Sequence, residues 1–264
     1  MGNRLDQASR AGRSGQFPGF LSRWPNRALD FLIPPRCLGC GIEVASASSI
    51  CSTCWTGLAF VVEPVCARCG LGLLAEGAEP GGLCSACLSR PPRFDRARAA
   101  LAYDDASSSL ILAFKHVGRL EATPLFVRWL ESAGGALIAD ADLIAPTPLH
   151  WRRLLWRRFN QAAEMARALA RRQGIAYAPD LLLRPKARPS QSGLSAGQRR
   201  RNVAGAFQIN PRRQAMLAGK RVLLIDDVLT TGATAERAAA TLKQAGAAAV
   251  DVLTVARVER PRPI

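Results

Sequence analysis

Every one of the eight cysteines in this 264-residue chain belongs to a CxxC pair: Cys37/Cys40, Cys51/Cys54, Cys66/Cys69 and Cys84/Cys87. A CxxC turn aims two thiolates at one tetrahedral ion, and two such turns complete a four-thiolate site, so four turns supply two zinc ions with no ligand left over. A redox dithiol shows one CxxC at a strand-to-helix junction, and four copies argue against it; iron–sulfur ligation is not excluded by the spacing. Gly39, Gly41 and Gly70 fall within or just after the turns, where backbone amides must approach sulfur closely. Sequential sites (Cys37, Cys40, Cys51 and Cys54, then Cys66, Cys69, Cys84 and Cys87) need only short hairpins, whereas interleaved sites need longer crossings, so the sequential pairing is expected. Between about Pro34 and Pro92 there is too little apolar material for an independent core, and metal binding is expected to supply the folding energy of this module. No open-site ligand set is present, which points to a structural or contact role.

Beyond PPRF at 91–94 the pattern changes to alternating strand-like and helix-like segments. RAALAY (98–103), DLIAPTPL (142–149), LLLR (181–184), RVLLID (221–226) and AVDVLTVARV (249–258) read as strands. Helices are expected at 107–117, 122–135 and 234–246, and over NQAAEMARALARRQG with Asn160 as cap and Gly174 as stop. Strand, helix, strand in that order implies right-handed crossovers and a parallel sheet covered by helices, an α/β fold. The chain then divides into a basic, flexible N-terminus (1–30), a Cys-rich double zinc ribbon (31–92) and an α/β domain (93–264). With no apolar run near the roughly 20 residues of a membrane span and no secretory signal, the expected location is the cytoplasm.

In open parallel sheets ligands sit beyond the carboxyl ends of the strands, and VLLIDDVLTTGAT (222–234) occupies such an end. Past the strand the chain turns over Thr230, Thr231, Gly232 and Ala233 into a helix beginning near Thr234. Amides converging at a positive helix terminus, hydroxyl donors and a glycine that permits close approach describe a phosphate monoester site. Asp226 and Asp227 do not serve the phosphate; they can accept hydrogen bonds from vicinal hydroxyls, directly or through a divalent cation, so the implied ligand is a sugar phosphate. Adjacent residues on a strand face opposite ways, so the two acids have different roles unless the strand has begun to turn.

The net charge of +16 is concentrated: residues 150–213 hold 15 Lys/Arg against Glu164 and Asp180, a balance of +13. A polyanion is the natural partner of that segment. Part of it, KARPSQSGLSAGQRRRNVAG (186–205), has no apolar periodicity and is expected to be a long loop.

The strand, acid pair, TTG turn and helix closely resemble the phosphoribosyl pyrophosphate (PRPP) motif of type I phosphoribosyltransferases. Joined to a double zinc ribbon, and with FLIPPRCLGC, CARCGL, LILAFKHVGR, PTPL, RFNQA and QSGLS…RRRNV alongside, the chain resembles the ComF family, associated with natural competence and DNA uptake. It departs from the family pattern at Arg158, where a glycine is usual before Phe-Asn-Gln. The resemblance implies a type I phosphoribosyltransferase-like parallel sheet flanked by helices and preceded by the double zinc ribbon. Asp226 and Asp227 would hold the ribose and act in catalysis, and Thr230, Thr231, Gly232, Ala233 and Thr234 would hold the 5-phosphate. Candidate pyrophosphate-binding residues are Lys115, Thr147, Arg152, Arg157 and Arg188. It also implies two structural zinc ions, magnesium with PRPP, and single-stranded DNA and a DNA-uptake motor protein as candidate partners. Two function classes follow: a phosphoribosyltransferase whose acceptor no motif declares, and a non-catalytic PRPP-responsive module that binds DNA or a partner.

Overall fold

The computed structural model describes residues 34–73, 81–116, 120–149, 155, 159–184 and 207–259. Its centre is a five-stranded, wholly parallel sheet in the order β1-β7-β6-β2-β3, formed by Arg96–Ala102, Leu143–Pro146, Ala176–Tyr177, Arg221–Leu229 and Ala249–Arg257 as β1, β2, β3, β6 and β7. Leu182–Leu183 (β4) pairs antiparallel with Gln208–Ile209 (β5) in a separate ribbon. The expected strand at 181–184 therefore lies outside the main sheet, and the two-residue β3, too short to show a period, takes the edge instead.

Six helices are described: α1 (Ser52–Thr56), α2 (Ser85–Ser89), α3 (Asp105–His116), α4 (Thr123–Ala139), α5 (Gln161–Gln173) and α6 (Ala233–Gln244). The α5 boundaries follow local chemistry as expected: the Asn160 side chain accepts from the Ala162 amide, and Gly174 ends the helix in the left-handed conformation at φ 66°. Alternation along the strands divides the interior into two layers. Leu223, Ile225, Leu253 and Val255 face α3, α4 and α5 through Phe114, Phe126, Leu130 and Leu169. Val222, Leu224, Val250 and Val252 face α6 through Ala235, Ala238 and Leu242. Two charges interrupt the apolar run of β7. One, Asp251, is fully buried at the amino end of the sheet and held by Arg96 at 3.2 and 2.5 Å and by Arg221 at 3.2 Å.

The cysteine-rich region is built onto this sheet. Segment 59–61 runs antiparallel along β1, with Val61 N donating to Ala100 O at 2.9 Å and Ala102 N to Ala59 O at 2.8 Å. An edge strand that would otherwise offer unpaired backbone groups is thereby covered. The two cysteine clusters fall on opposite faces. Leu38, Leu58 and Phe60 of the first ribbon join the α3/α4 layer, and Cys66, Cys69, Cys84 and Cys87 join the α6 layer with Phe94 and Leu229.

Gly70 shows how closely the second ribbon docks. Its φ is +68°, and a Cβ there would run into the carbonyl oxygen of Ala97 on β1. Gly70→Ala combines left-handed strain with a backbone clash, so it is expected to destabilise the domain by about 2–4 kcal/mol. Urea unfolding followed by circular dichroism measures this loss; a change below about 1 kcal/mol would mean that the ribbon is loosely attached.

Candidate functional site

The second cysteine cluster borders the turn that follows β6. Cys37, Cys40, Cys51 and Cys54 form one cluster and Cys66, Cys69, Cys84 and Cys87 the other, with the Sγ atoms of each within 4.8 Å of one another. This is the sequential pairing. A tetrahedral zinc with Zn–S bonds of about 2.3 Å requires sulfurs about 3.8 Å apart. Cys40 and Cys51 stand at 3.7 Å, as do Cys69 and Cys84. Backbone amides support the sulfurs: Cys51 N donates to Cys37 Sγ at 3.2 Å and Cys84 N to Cys66 Sγ at 3.3 Å.

Against the upward pull of burial, the amides of Cys40, Cys51 and Gly39 hold the Cys37 thiol down to about 6. Those of Cys69, Cys84 and Arg68 hold Cys66 down to about 7 in the same way. Burial, neighbouring thiols and the Cys37 charge push Cys54 up to about 12; burial and the Cys69 charge push Cys87 up as well. Four thiols packed this closely cannot all ionise without a cation at their centre, so the donor sets fit structural zinc. The two clusters differ in exposure, since Cys40 is exposed whereas all four cysteines of the second are buried.

At the carboxyl edge of the sheet, β6 continues through both acids to Leu229, three residues beyond the strand read from RVLLID. Gly232 then takes φ 75° and caps α6, with no side chain of its own to bond the first turn. Ala233 N makes only a long contact of 3.4 Å to Thr231 Oγ1, and Thr230 and Thr231 are exposed. The turn before α6 thus leaves two hydroxyls exposed ahead of the helix amino end, an arrangement that suits an anion.

Asp226 Oδ1 accepts from Asp227 N at 2.9 Å, and Asp227 Oδ2 lies 2.9 Å from Lys115 Nζ, so the two acids do take different partners. Burial and the neighbouring Asp227 charge push the Asp226 carboxyl up to about 7, against the lowering effects of the Asp227 amide, Lys115 and Thr147. Thr147, buried at the end of β2, donates its amide to Ile225 O at 2.9 Å, while its Oγ1 sits beside the Asp226 carboxyl without a well-formed hydrogen bond. Asn160 Nδ2 donates to Thr147 O at 3.1 Å, and Gln161 Nε2 to Lys115 O at 3.1 Å. Gln161 Oε1 is likewise buried without a well-formed hydrogen bond. Under-satisfied buried oxygens are uncommon, and two at one edge of a sheet point to a ligand or ordered water.

The site therefore gathers Asp226, Asp227, Thr230, Thr231, Gly232, Ala233, Thr234, Lys115 and Thr147 from four elements. Lys115, read from sequence as a pyrophosphate contact, also pairs with Asp227 here. Arg152, Arg157 and Arg188 lie outside the described residues, as does 186–205. Phe159 packs on Phe114 at 6.3 Å between centroids, and Trp129 is buried against Phe126 and Phe60, so both serve packing. Neither Gln161 nor Arg257 is assigned a role from the sequence, although an arginine in an apolar strand run is a legible signal.

Comparison with known proteins identifies both regions of the chain. The double zinc ribbon domain family matches residues 28–88 and the phosphoribosyl transferase domain family residues 161–263. "DNA utilization protein YhgH" of Salmonella typhimurium is 32% identical over 235 residues, covering 85% of this chain and 98% of the relative. "Competence protein F" of Haemophilus influenzae is 29% identical, over 84% of this chain and 96% of its own. Among solved structures, orotate phosphoribosyltransferase from Aeropyrum pernix overlaps 61% of this chain and 81% of its own at 16% identity, with a TM-score of 0.32. That overlap is too loose to inform the site. No helix among the described residues is long and apolar enough to cross a membrane.

Proposed function

The chain belongs to the ComF family, and on that premise we propose that its strand-end site binds PRPP with magnesium and that the protein acts in the uptake or use of DNA. The observation that supports the reading best is the juxtaposition on β6: an acid pair and a helix amino end, joined by the left-handed turn at Gly232. In this reading the 5-phosphate sits on the amides and hydroxyls of residues 230–234, and Asp226 and Asp227 accept the ribose hydroxyls. The pyrophosphate lies toward Thr147, whose Oγ1, free of a well-formed hydrogen bond, supplies a donor. Magnesium, when bound with PRPP, would neutralise the pyrophosphate and stabilise its departure. The names of the relatives, DNA utilization and competence proteins, support the cellular role.

As an enzyme, the protein would position PRPP so that a nucleophile attacks the anomeric carbon and pyrophosphate leaves, the chain contributing orientation and electrostatics. The balance of +13 over residues 150–213 favours a second reading, a PRPP-responsive module for single-stranded DNA or a motor partner, because one small anion does not need that much charge. Steady-state pyrophosphate release measured with an array of candidate acceptors separates the two. Release with any acceptor identifies a transferase, and its absence alongside retained PRPP binding identifies the module.

The protonation of Asp226 gives the binding a pH dependence. Between the ordinary carboxylate range and about 7 the folded chain holds a proton that the unfolded chain has lost, so this group's contribution to stability falls as pH rises through that window. A carboxylate that must accept ribose hydroxyls has to lose the same proton. Affinity for magnesium–PRPP is therefore expected to rise with pH, by up to about tenfold per unit below about pH 7, and to level off above it. Calorimetric titration across that range checks this. The Asp226→Asn variant is expected to keep only the slope due to the ligand's own ionisation, and an identical profile in both proteins would contradict the assignment.

A further inference from the structure

We infer that Arg257 is the counter-ion of the second tetrathiolate site and couples metal there to the shape of the phosphate turn. Arg257 ends β7 and is buried, with 6% exposure. Its guanidinium donates to the carbonyl oxygen of Cys69, its Nε has no hydrogen-bond partner, and no carboxylate among the described residues stands within ion-pair distance of it. A buried guanidinium without a countercharge is strongly unfavourable. The countercharge available to it is the cysteine cluster itself, because four thiolates around one divalent zinc sum to two negative charges.

The location of Arg257 gives that pairing a consequence. Cys69, Cys84 and Cys87 line one wall of a small cavity of about 20 Å³, Thr230 and Gly232 of the phosphate turn line another, and Arg257 lines it with them. In the sheet register Arg257 pairs with Leu229, the residue just before the turn, and Val258 N donates to Leu229 O at 3.0 Å. With zinc bound, the guanidinium is neutralised and fixes the Cys69 carbonyl against the base of the turn. With zinc lost, the cluster's fixed negative charge is gone, and withdrawal of the unpaired guanidinium from this wall removes the support behind Thr230 and Gly232. Binding of metal and of sugar phosphate then favour each other, as linkage requires of two ligands that select the same arrangement.

The test is chelator competition on the full-length, two-zinc protein, with released zinc measured per chain. In the wild type two steps are expected, the more exposed first ribbon yielding before the second. Arg257→Met should move the second step to chelator concentrations lower by about 10-fold or more, the range seen when a partner outside the ligand shell is removed. Arg257→Lys keeps the charge and should retain two steps near the wild-type positions, which preserves the test if the methionine variant does not fold. An unshifted second step in folded Arg257→Met, or a collapsed one in Arg257→Lys, overturns the inference. The coupling arm rests on the PRPP reading: saturating magnesium–PRPP should delay the second zinc step in the wild type. No delay when PRPP binding is measured independently overturns the coupling. Absent PRPP binding would instead sink the ligand reading and leave the zinc–Arg257 pairing to be judged by the variants.

Discussion

Cys84→Ser is expected to unfold the α/β domain, whereas Cys40→Ser loosens the first ribbon and leaves the sheet standing. The difference follows from where each cluster sits. Cys84 is 8% exposed and shares a core layer with Phe94, Leu224, Leu229, Ala238 and Val252, so losing its metal opens the interior beneath α6. Structural zinc sites contribute about 10–16 kcal/mol of binding free energy in small peptides, comparable with the whole stability of a typical domain at about 5–15 kcal/mol. Cys40 is exposed, and its ribbon touches the opposite layer chiefly through Leu38, Leu58 and Phe60. Far-UV circular dichroism and limited proteolysis read the outcome: loss of most helical signal for Cys84→Ser, and cleavage confined to the region before about residue 59 for Cys40→Ser. Equal behaviour of the two variants would mean that the ribbons are attached alike.

That asymmetry follows from the two ribbons joining different core layers. The CxxC spacing reveals two sites and their sequential pairing, because ligand geometry is local. It says nothing of burial, since four cysteines look alike in sequence whether they sit at a surface or against Phe94. The α/β alternation, the Asn160 and Gly174 boundaries of α5 and the location of the acid pair at a strand end are likewise legible, each resting on residues within one element. What the sequence hides is pairing between distant parts. Segment 59–61 lies in a short apolar run, 58–62, whose partner the sequence does not name; β1 supplies it. LLLR has the composition of a sheet strand but pairs with Gln208–Ile209 off the sheet. Lys115 and Asp227 lie on different elements, and only the crossover of α3 onto the sheet brings ammonium and carboxylate to 2.9 Å. A basic residue near a proposed polyanion site is naturally assigned to the anion; in the fold this one also pairs with Asp227.

Asp227→Asn is the second large effect expected. The amide keeps the shape of the side chain while removing the charge that holds Lys115, both side chains being only 17% exposed. A charge-assisted hydrogen bond from a ribose hydroxyl is lost, and Lys115 is left half-buried without its anion. The expected penalty on PRPP binding is about 1.5–3 kcal/mol, or roughly 10- to 150-fold in Kd. The fold should survive, because Asp227 lies at the rim of the sheet and not in either apolar layer, and thermal melting of the variant serves as the control.

Titration calorimetry of magnesium–PRPP into the zinc-loaded wild type and into Asp227→Asn tests the central assignment most directly. The account predicts saturable binding at one PRPP per chain in the wild type, and affinity at least about 10-fold weaker in the folded variant. Equal affinity in the two proteins, or no binding to the zinc-loaded wild type, would contradict it.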